Sequence, residues 1–213
     1  MKKLIIIPAY NEGENLKNTI KNIQTYAPSF DYVIVNDCSK DNTRELCKTE
    51  KFHVINLPVN LGIGGAVQTG YQYAMENDYD LAVQVDGDGQ HDARFLNTMA
   101  DYLLENKVNM VIGSRFIEKK DFSHPGSADW AFVFYGIDSM PHRKKITDPT
   151  SGLRMADSEI IKMFAQNYPK DYPEPETVVS VIRKGKRVEE LPVEMHERQG
   201  GVSSISPKNL FII

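Results

Sequence analysis

The sequence predicts an α/β fold, a mostly parallel, doubly wound sheet flanked by helices. Three observations carry this reading. Short, nearly continuous apolar runs recur along the first half of the chain, as in strands buried on both faces. Amphipathic helical spacing fills the intervals between them. The two alternate over residues 1–113, the pattern of parallel strands joined by helical crossovers.

The apolar runs are Leu4–Ile7, Tyr32–Val35, Val54–Leu57, Leu81–Val85 and Met110–Ile112. After Asn11-Glu12, residues Leu16, Ile20 and Ile23 recur at i, i+4 and i+7, which lines one face of a helix. Phe95, Met99, Tyr102 and Leu103 repeat the pattern behind Asp92, a residue type suited to a helix N-cap. Residues 118–145 keep neither period, and scattered Ser, His, Pro and Gly predict an irregular stretch there. Beyond it, Ser158–Gln166 and Glu176–Lys184 are expected to be helical and Arg187–Met195 extended.

The chain has 213 residues, of which 41% are hydrophobic, enough for one sizeable core and one domain, 1–213. Its 25 Lys+Arg and 29 Asp+Glu are interspersed, and the absence of a basic stripe argues against nucleic-acid binding. Cys38 and Cys47 are the only cysteines, and no Cys/His group has zinc-ligand spacing. Reduced thiols in a cytoplasmic protein are expected rather than a disulfide scaffold or structural zinc. Pro8 ends the first apolar run after four residues, too soon for a signal peptide. No run approaches the roughly 20 apolar residues of a membrane span, so any membrane association is expected to be peripheral.

The most informative segment follows the run Leu81–Val85 and contains Asp86-Gly87-Asp88-Gly89-Gln90-His91-Asp92. Two carboxylates two residues apart in a glycine-loosened turn suit Mg²⁺ or Mn²⁺, which prefer oxygen ligands and leave positions open for phosphates. Gln90 and His91 can add a ligand or a supporting contact. The plainer alternative is an acidic strand-to-helix loop in which Asp92 caps the helix. The first two runs end in Pro8-Ala9-Tyr10-Asn11-Glu12 and Val35-Asn36-Asp37. Tyr10 can stack on a base there, and Asp37 can accept hydrogen bonds from a base or ribose. Asp41 and Thr43 read as an ordinary turn and cap.

The cluster Gly62-Ile63-Gly64-Gly65-Ala66 has Val67 where a dinucleotide loop needs its third glycine, and no Gly-Lys-Ser/Thr follows. It signals close packing or backbone approach to a ligand. No G-x-S-x-G nucleophile elbow occurs. Arg115, Arg154 and Arg198 stand in Gly/Ser-flanked segments. Taken together they suit bidentate phosphate recognition; taken singly, each reads as a surface ion pair.

The ordered series Pro8-Ala-Tyr10-Asn-Glu12, Asp37 with Ser39 and Asp41, Asn60-x-Gly62, Asp86-x-Asp88-x-Gln90-His91, Gly-Ser-Arg115 and Ser151-Gly-Leu-Arg154 resembles family 2 glycosyltransferases of the GT-A fold, a Rossmann-like sheet flanked by helices. Within that family it is most similar to the polyprenyl-phosphate (dolichyl-phosphate) mannosyl- and glucosyltransferase-like branch. The likeness runs over about 3–117 and resumes over about 145–205. It implies a nucleotide-binding half, about 1–117, in which Pro8, Tyr10, Glu12, Val35, Asp37, Gly62, Asp86 and Gly87 hold the nucleotide. Asp86 and Asp88, with Gln90, would hold Mg²⁺ or Mn²⁺. An acceptor-side half, about 118–213, would follow. Asp88, Arg115, Arg154 and Glu176 form the implied catalytic set, with Arg115 and Arg154 facing phosphate. A hydroxyl acceptor would need a base, for which Glu174 or Glu176 is the candidate.

The implied reaction is inverting transfer from a UDP- or GDP-linked sugar to a lipid phosphate or cell-surface glycan at the cytoplasmic face of a membrane. Segment 121–143, with His124-Pro-Gly-Ser and Trp130-Ala-Phe-Val-Phe-Tyr-Gly-Ile, departs from the family pattern. That departure keeps a non-catalytic nucleotide- or sugar-binding domain as the alternative. A nucleotidyltransferase also shares an acidic metal pair but needs a Gly-rich N-terminal phosphate loop, for which this chain has no counterpart.

Overall fold

A computed structural model describes residues 1–117, 146–170 and 173–196. The stretch 118–145, with its atypical segment 121–143, and the segment around Arg198 lie outside the described residues. Seven strands, β1 (Lys3–Ala9), β2 (Asp31–Asn36), β3 (Val54–Asn56), β4 (Leu81–Gln84), β5 (Met110–Ser114), β6 (Arg154–Asp157) and β7 (Val188–Pro192), form one sheet. Their order is β3-β2-β1-β4-β6-β5-β7. The pairs β1–β2, β2–β3, β1–β4 and β5–β7 are parallel. β6 runs antiparallel to both of its neighbours.

The five expected apolar runs fall on the first five strands, those at Val54–Leu57 and Leu81–Val85 each overrunning the strand by one residue, and β7 is a shorter version of the extended segment expected at 187–195. Strand β6 was not foreseen. Four residues that begin with Arg and end with Asp carry no strand signal of their own, and pairing with two neighbours makes this segment extended.

The helices are α1 (Leu16–Tyr26), α2 (Thr43–Thr49), α3 (Gly62–Glu76), α4 (Leu96–Glu105), α5 (Ser158–Gln166) and α6 (Pro173–Arg183). Helix α5 has the expected bounds, whereas α6 begins three residues earlier than expected, with Pro173 in its first turn, where a missing N–H costs nothing. Asp92 does cap, but it caps a 3-10 turn, Ala93–Phe95, that leads into α4; its side chain accepts the Arg94 N–H at 2.9 Å.

Successive β1 residues feed opposite faces of the sheet. Ile5 and Ile7 pack with Leu16, Ile20, Met99 and Leu103 on one side, while Leu4 and Ile6 pack with Val67, Tyr71, Ile160 and Phe164 on the other. This double burial is why the run contains no polar residue. Each such side chain contributes about 1.5–3 kcal/mol by leaving water. The parallel strands change direction of travel between β1 and β4, so the crevice at their carboxyl ends is the place where ligands bind in such sheets. Among the described residues, no helix is long and apolar enough to cross a membrane.

Helix α3 lies directly on β1 because Gly70 has no side chain. A Cβ there would stand 2.2 Å from Ile6 Cγ2 in the middle of the sheet. Gly70→Ala should therefore destabilise the fold by about 1–3 kcal/mol through overpacking, despite the better helix propensity of alanine, as read from the urea midpoint.

Candidate active site

The loops after β1 and β2 are locked to each other. Asn11 and Cys38 both adopt left-handed backbone, with φ of 58° and 57°, a conformation that neighbouring contacts must hold. Those contacts are reciprocal. Asn11 N donates to Ser39 Oγ at 3.0 Å, and Lys40 N donates to Asn11 Oδ1 at 2.8 Å. Glu12 N donates to Thr43 Oγ1 and Gly13 N to Asp41 Oδ2, each at 3.0 Å. Asp41 also accepts from the Thr43 N–H and hydroxyl, so Asp41 and Thr43 form the expected turn, while the N-cap of α2 is Asn42, which makes no side-chain cap bond.

Pro8 and Val35 are buried at the strand ends, Asp37 and Glu12 are nearly so, and Tyr10 is 43% exposed on the rim. Asp37 spends one oxygen on structure: Oδ1 accepts the Leu61 N–H at 2.6 Å, holding the approach to α3. The glycine cluster is explained by packing. A Cβ on Gly64 would lie 2.2 Å from the Pro169 carbonyl oxygen, so α3 meets the α5–α6 connection backbone to backbone. Gly62 takes a φ of 76° with open space around it, which makes its requirement conformational.

The acidic loop after β4 sits against this platform. A Cβ on Gly87 would be 3.2 Å from the Pro8 carbonyl oxygen and 3.3 Å from Glu12 Cγ, and the Gly87 carbonyl accepts the Thr19 hydroxyl. Gly89 supplies a φ of 79°. Asp88 Oδ1 accepts the Gln90 N–H at 3.0 Å, and Asp86 Oδ1 accepts Gln84 Nε2 at 3.0 Å. His91 is buried and turned back on Asp86. Its Nδ1 accepts the Asp86 N–H at 3.0 Å, and its Nε2 lies 3.7 Å from Asp86 Oδ2. With Nδ1 so engaged, His91 supports the loop rather than offering that nitrogen to a metal.

The donor set can be tested against the expected ion. Among the described residues no group of three or more His, Cys, Asp or Glu could enclose a metal. Asp86 and Asp88 therefore offer a hard, incomplete oxygen set, which fits a cation whose remaining positions are filled by phosphate and water. Gln90 is half-buried in the same turn. The loop Asp148–Leu153 closes over Asp86, since a Cβ on Gly152 would lie 2.7 Å from Asp86 Oδ2.

The arginines behave differently from the expectation. Arg154 is 2% exposed and points into the protein. It donates to the carbonyls of Ser151 (2.6 Å), Pro149 (2.5 Å) and Glu174 and to Thr177 Oγ1 (2.7 Å). A guanidinium spent on carbonyls holds loops together and is not turned to a substrate phosphate. Burial lowers its pKa, opposed by Tyr168 and Glu174. Arg115, 37% exposed, makes a two-pronged bond to Asp148, with Nε and Nη2 each at 2.7 Å from a carboxylate oxygen. Asp148 is fully buried, and its pairing raises the Arg115 pKa against the opposing effect of burial.

Of the two glutamates, Glu176 is exposed and Glu174 is half-buried. Burial raises the Glu174 carboxyl above its ordinary range; Arg154 opposes this, and the charge of Asp86 adds to it. Sequence reasoning gave no role to Asp148, Glu190 or His196. Glu190 accepts the Thr147 and Asp148 N–H groups, each at 2.7 Å. His196 donates its backbone N–H to the Gln90 carbonyl, and its Nε2 lies 3.0 Å from Asp92 Oδ2. Partners 42 residues apart leave no local pattern in the sequence.

The family model for glycosyl transferase family 2 matches residues 4–164. The chain belongs to this family. The glycosyltransferase is 29% identical to the undecaprenyl-phosphate mannosyltransferase of Micrococcus luteus, over 97% of this chain and 88% of that one. It is 28% identical to the UDP-N-acetylglucosamine–dolichyl-phosphate N-acetylglucosaminyltransferase of Methanococcus voltae, over 89% and 84% of the two chains. The glucosyl-3-phosphoglycerate synthase of Mycobacterium tuberculosis, solved with Mn²⁺, UDP and phosphoglyceric acid, superposes with a TM-score of 0.72 at 15% identity, over 94% of this chain and 72% of that one. A mannosyltransferase of Pyrobaculum calidifontis solved with GDP-Man and Mn²⁺ gives 0.66 at 17% identity, over 90% and 55%. These likenesses establish the GT-A fold for the glycosyltransferase.

Two outcomes follow from the site's construction. Gly152→Ala in the glycosyltransferase should cost about 1–3 kcal/mol by overpacking against Asp86 Oδ2, as read from the urea midpoint. Asp92 offers a pH test. Burial pushes its carboxyl up, but Arg94 and His196 outweigh that and hold it below the usual range. A depressed folded-state value stabilises above the unfolded value, and the gain is lost as pH falls through the folded one. Asp92→Asn should therefore be less stable than wild type near neutrality, with the gap closing on acidification, as read from urea midpoints.

Proposed function

We propose that the chain is one glycosyltransferase domain that moves a sugar from a UDP- or GDP-linked donor to a polyprenyl phosphate or a glycan hydroxyl, inverting the anomeric centre. The observation that carries this reading is the position of Asp86 and Asp88 at the carboxyl end of β4, beside the locked loops of β1 and β2 and beneath Gly152. Asp86 and Asp88, with Gln90, would hold Mg²⁺ or Mn²⁺. When bound, the ion offsets the negative charge that builds on the departing diphosphate.

The chain's own residues do the rest. Pro8, Glu12, Val35, Asp37 and Gly62 shape the nucleoside cradle, with Tyr10 on its rim. Gly87 brings the acidic loop against that cradle, and His91 fixes the direction of Asp86. The acceptor side, from about residue 118 onward, is joined to the nucleotide half by the Arg115–Asp148 clasp. Single displacement would give inversion, and the acceptor chemistry in the names of the Micrococcus and Methanococcus relatives supports a lipid-phosphate acceptor as one of the two classes. Work at the cytoplasmic face with peripheral membrane contact fits that class.

Thermal unfolding with UDP or GDP, with and without Mn²⁺, tests the donor site. One diphosphate should stabilise the wild type only with metal, by about 2.7 kcal/mol at a hundredfold excess over Kd, and Asp88→Ala should abolish the joint effect. An equal shift in Asp88→Ala would contradict the assignment.

A further inference from the structure

Helix α1 carries two parallel stripes. Leu16, Ile20 and Ile23 go to the hydrophobic core. Asn15, Thr19 and Asn22 repeat the same i, i+4, i+7 spacing one residue earlier. Asn15 and Thr19 are each 4% exposed and Asn22 is half-buried, and polar side chains turned inward in this way need polar partners.

Those partners lie on the two halves of the candidate donor site. Asn15 Nδ2 donates to Glu12 Oε2 at 2.8 Å, and the N–H groups of Asn15 and Leu16 both donate to the Glu12 carbonyl at 3.0 Å, so the helix begins on the nucleoside cradle. One turn on, the Thr19 hydroxyl stands 3.2 Å from the Asn15 carbonyl and 3.2 Å from the Gly87 carbonyl. About one turn further, Asn22 Oδ1 accepts the Ala93 N–H at 2.9 Å. The polar stripe therefore grips the acidic loop near its beginning and just past its end.

A threonine in a helix commonly bonds back to the carbonyl four residues earlier, and that bond alone would make Thr19 structural. The second acceptor changes its role. A hydroxyl has one proton to give, and the Asn15 carbonyl already accepts the Thr19 backbone N–H at 3.1 Å. The hydroxyl proton can therefore serve Gly87 without leaving the helix carbonyl unmet. Gly87 is the residue between Asp86 and Asp88, so this bond holds the backbone from which both carboxylates project.

Building on the donor-site reading above, we infer that α1 couples the nucleoside cradle to the acidic loop, with Thr19 and Asn22 as positioning residues that set Asp86 and Asp88 relative to Glu12. They act through the loop backbone rather than on the nucleotide or the ion. A loop held in place beforehand loses less conformational freedom when a cation and a diphosphate arrive. The contribution of the stripe accordingly falls on the metal-dependent part of nucleotide binding.

Equilibrium dialysis of labelled UDP and GDP across a Mn²⁺ titration tests this on wild type, Thr19→Val, Thr19→Ser and Gly70→Ala. Thr19→Val keeps the shape and loses the proton, Thr19→Ser returns the hydroxyl, and Gly70→Ala is a destabilised control away from the loop. The Mn²⁺ concentration that half-saturates nucleotide binding should rise about tenfold in Thr19→Val, with the binding plateau unchanged. Thr19→Ser and Gly70→Ala should keep the wild-type midpoint. An unchanged midpoint in Thr19→Val overturns the inference, whether or not the plateau falls, and so does an equal shift in Gly70→Ala. If Thr19→Val does not fold, Asn22→Ala, at the half-buried end of the stripe, is read against the same two outcomes. A wild type that binds neither nucleotide at any Mn²⁺ concentration removes the donor-site reading itself, a result distinct from a wild type that binds with metal and is matched by Thr19→Val.

Discussion

A buried guanidinium, met among the described residues by three backbone carbonyls and a hydroxyl, organises the part of this molecule around β6 and α6. Arg154 cannot shed its proton, so its donors must be met where they lie, and an unmet buried donor is expensive. The acceptors come from the loop before β6, through Pro149 and Ser151, and from the start of α6, through Glu174 and Thr177. Two segments otherwise free to drift are thereby drawn to one point. The loop so held carries Gly152 over Asp86, and the helix so held leaves Glu174 half-buried and Glu176 exposed. The geometry around the acidic pair thus follows from satisfying one cation that never meets solvent.

Around that point the polar groups form a connected chain. Glu190 on β7 fixes the backbone of Thr147 and Asp148, Asp148 orients Arg115, and the Ser151 hydroxyl donates to the Gly113 carbonyl at the end of β5. On the far side, His196 and Asp92 fasten the chain after β7 to the acidic loop. Every buried side-chain nitrogen and oxygen among the described residues has a partner, which is what allows so many polar groups to be enclosed beside a site. The acidic loop is consequently clamped between the β1–β2 platform and the Asp148–Leu153 loop, and little of its shape is left to the ligand.

Much of this was legible in the sequence because it rests on local pattern. The apolar runs located five strands, the spacing of Leu16, Ile20 and Ile23 gave α1, and the acidic pair pointed to the carboxyl end of β4. What was not legible depends on distant partners. Arg154 reads as a phosphate ligand because a charge in a Gly/Ser-flanked motif looks exposed, and only the folded chain reveals four acceptors around it. Glu174 and Glu176 are indistinguishable as letters; the turn of α6 buries one and exposes the other. The glycines of α3 resemble a ligand loop until Gly64 is found against the Pro169 carbonyl. Strand β6 has no apolar run to announce it, and its extended form comes from β4 and β5.

The clasp between Arg115 and Asp148 is accompanied by a second tie, Ser114 Oγ to Thr147 Oγ1 at 2.9 Å. Together they join the chain just before residue 118 to the chain just after residue 145, so the two ends of that interval are fastened by bonds that do not depend on what lies between them. The entropy of closing such a loop grows only slowly with its length. The end of β5 and the loop before β6 are therefore held at a fixed separation by their own side chains, and the register of the sheet beside the acidic loop is anchored at both posts.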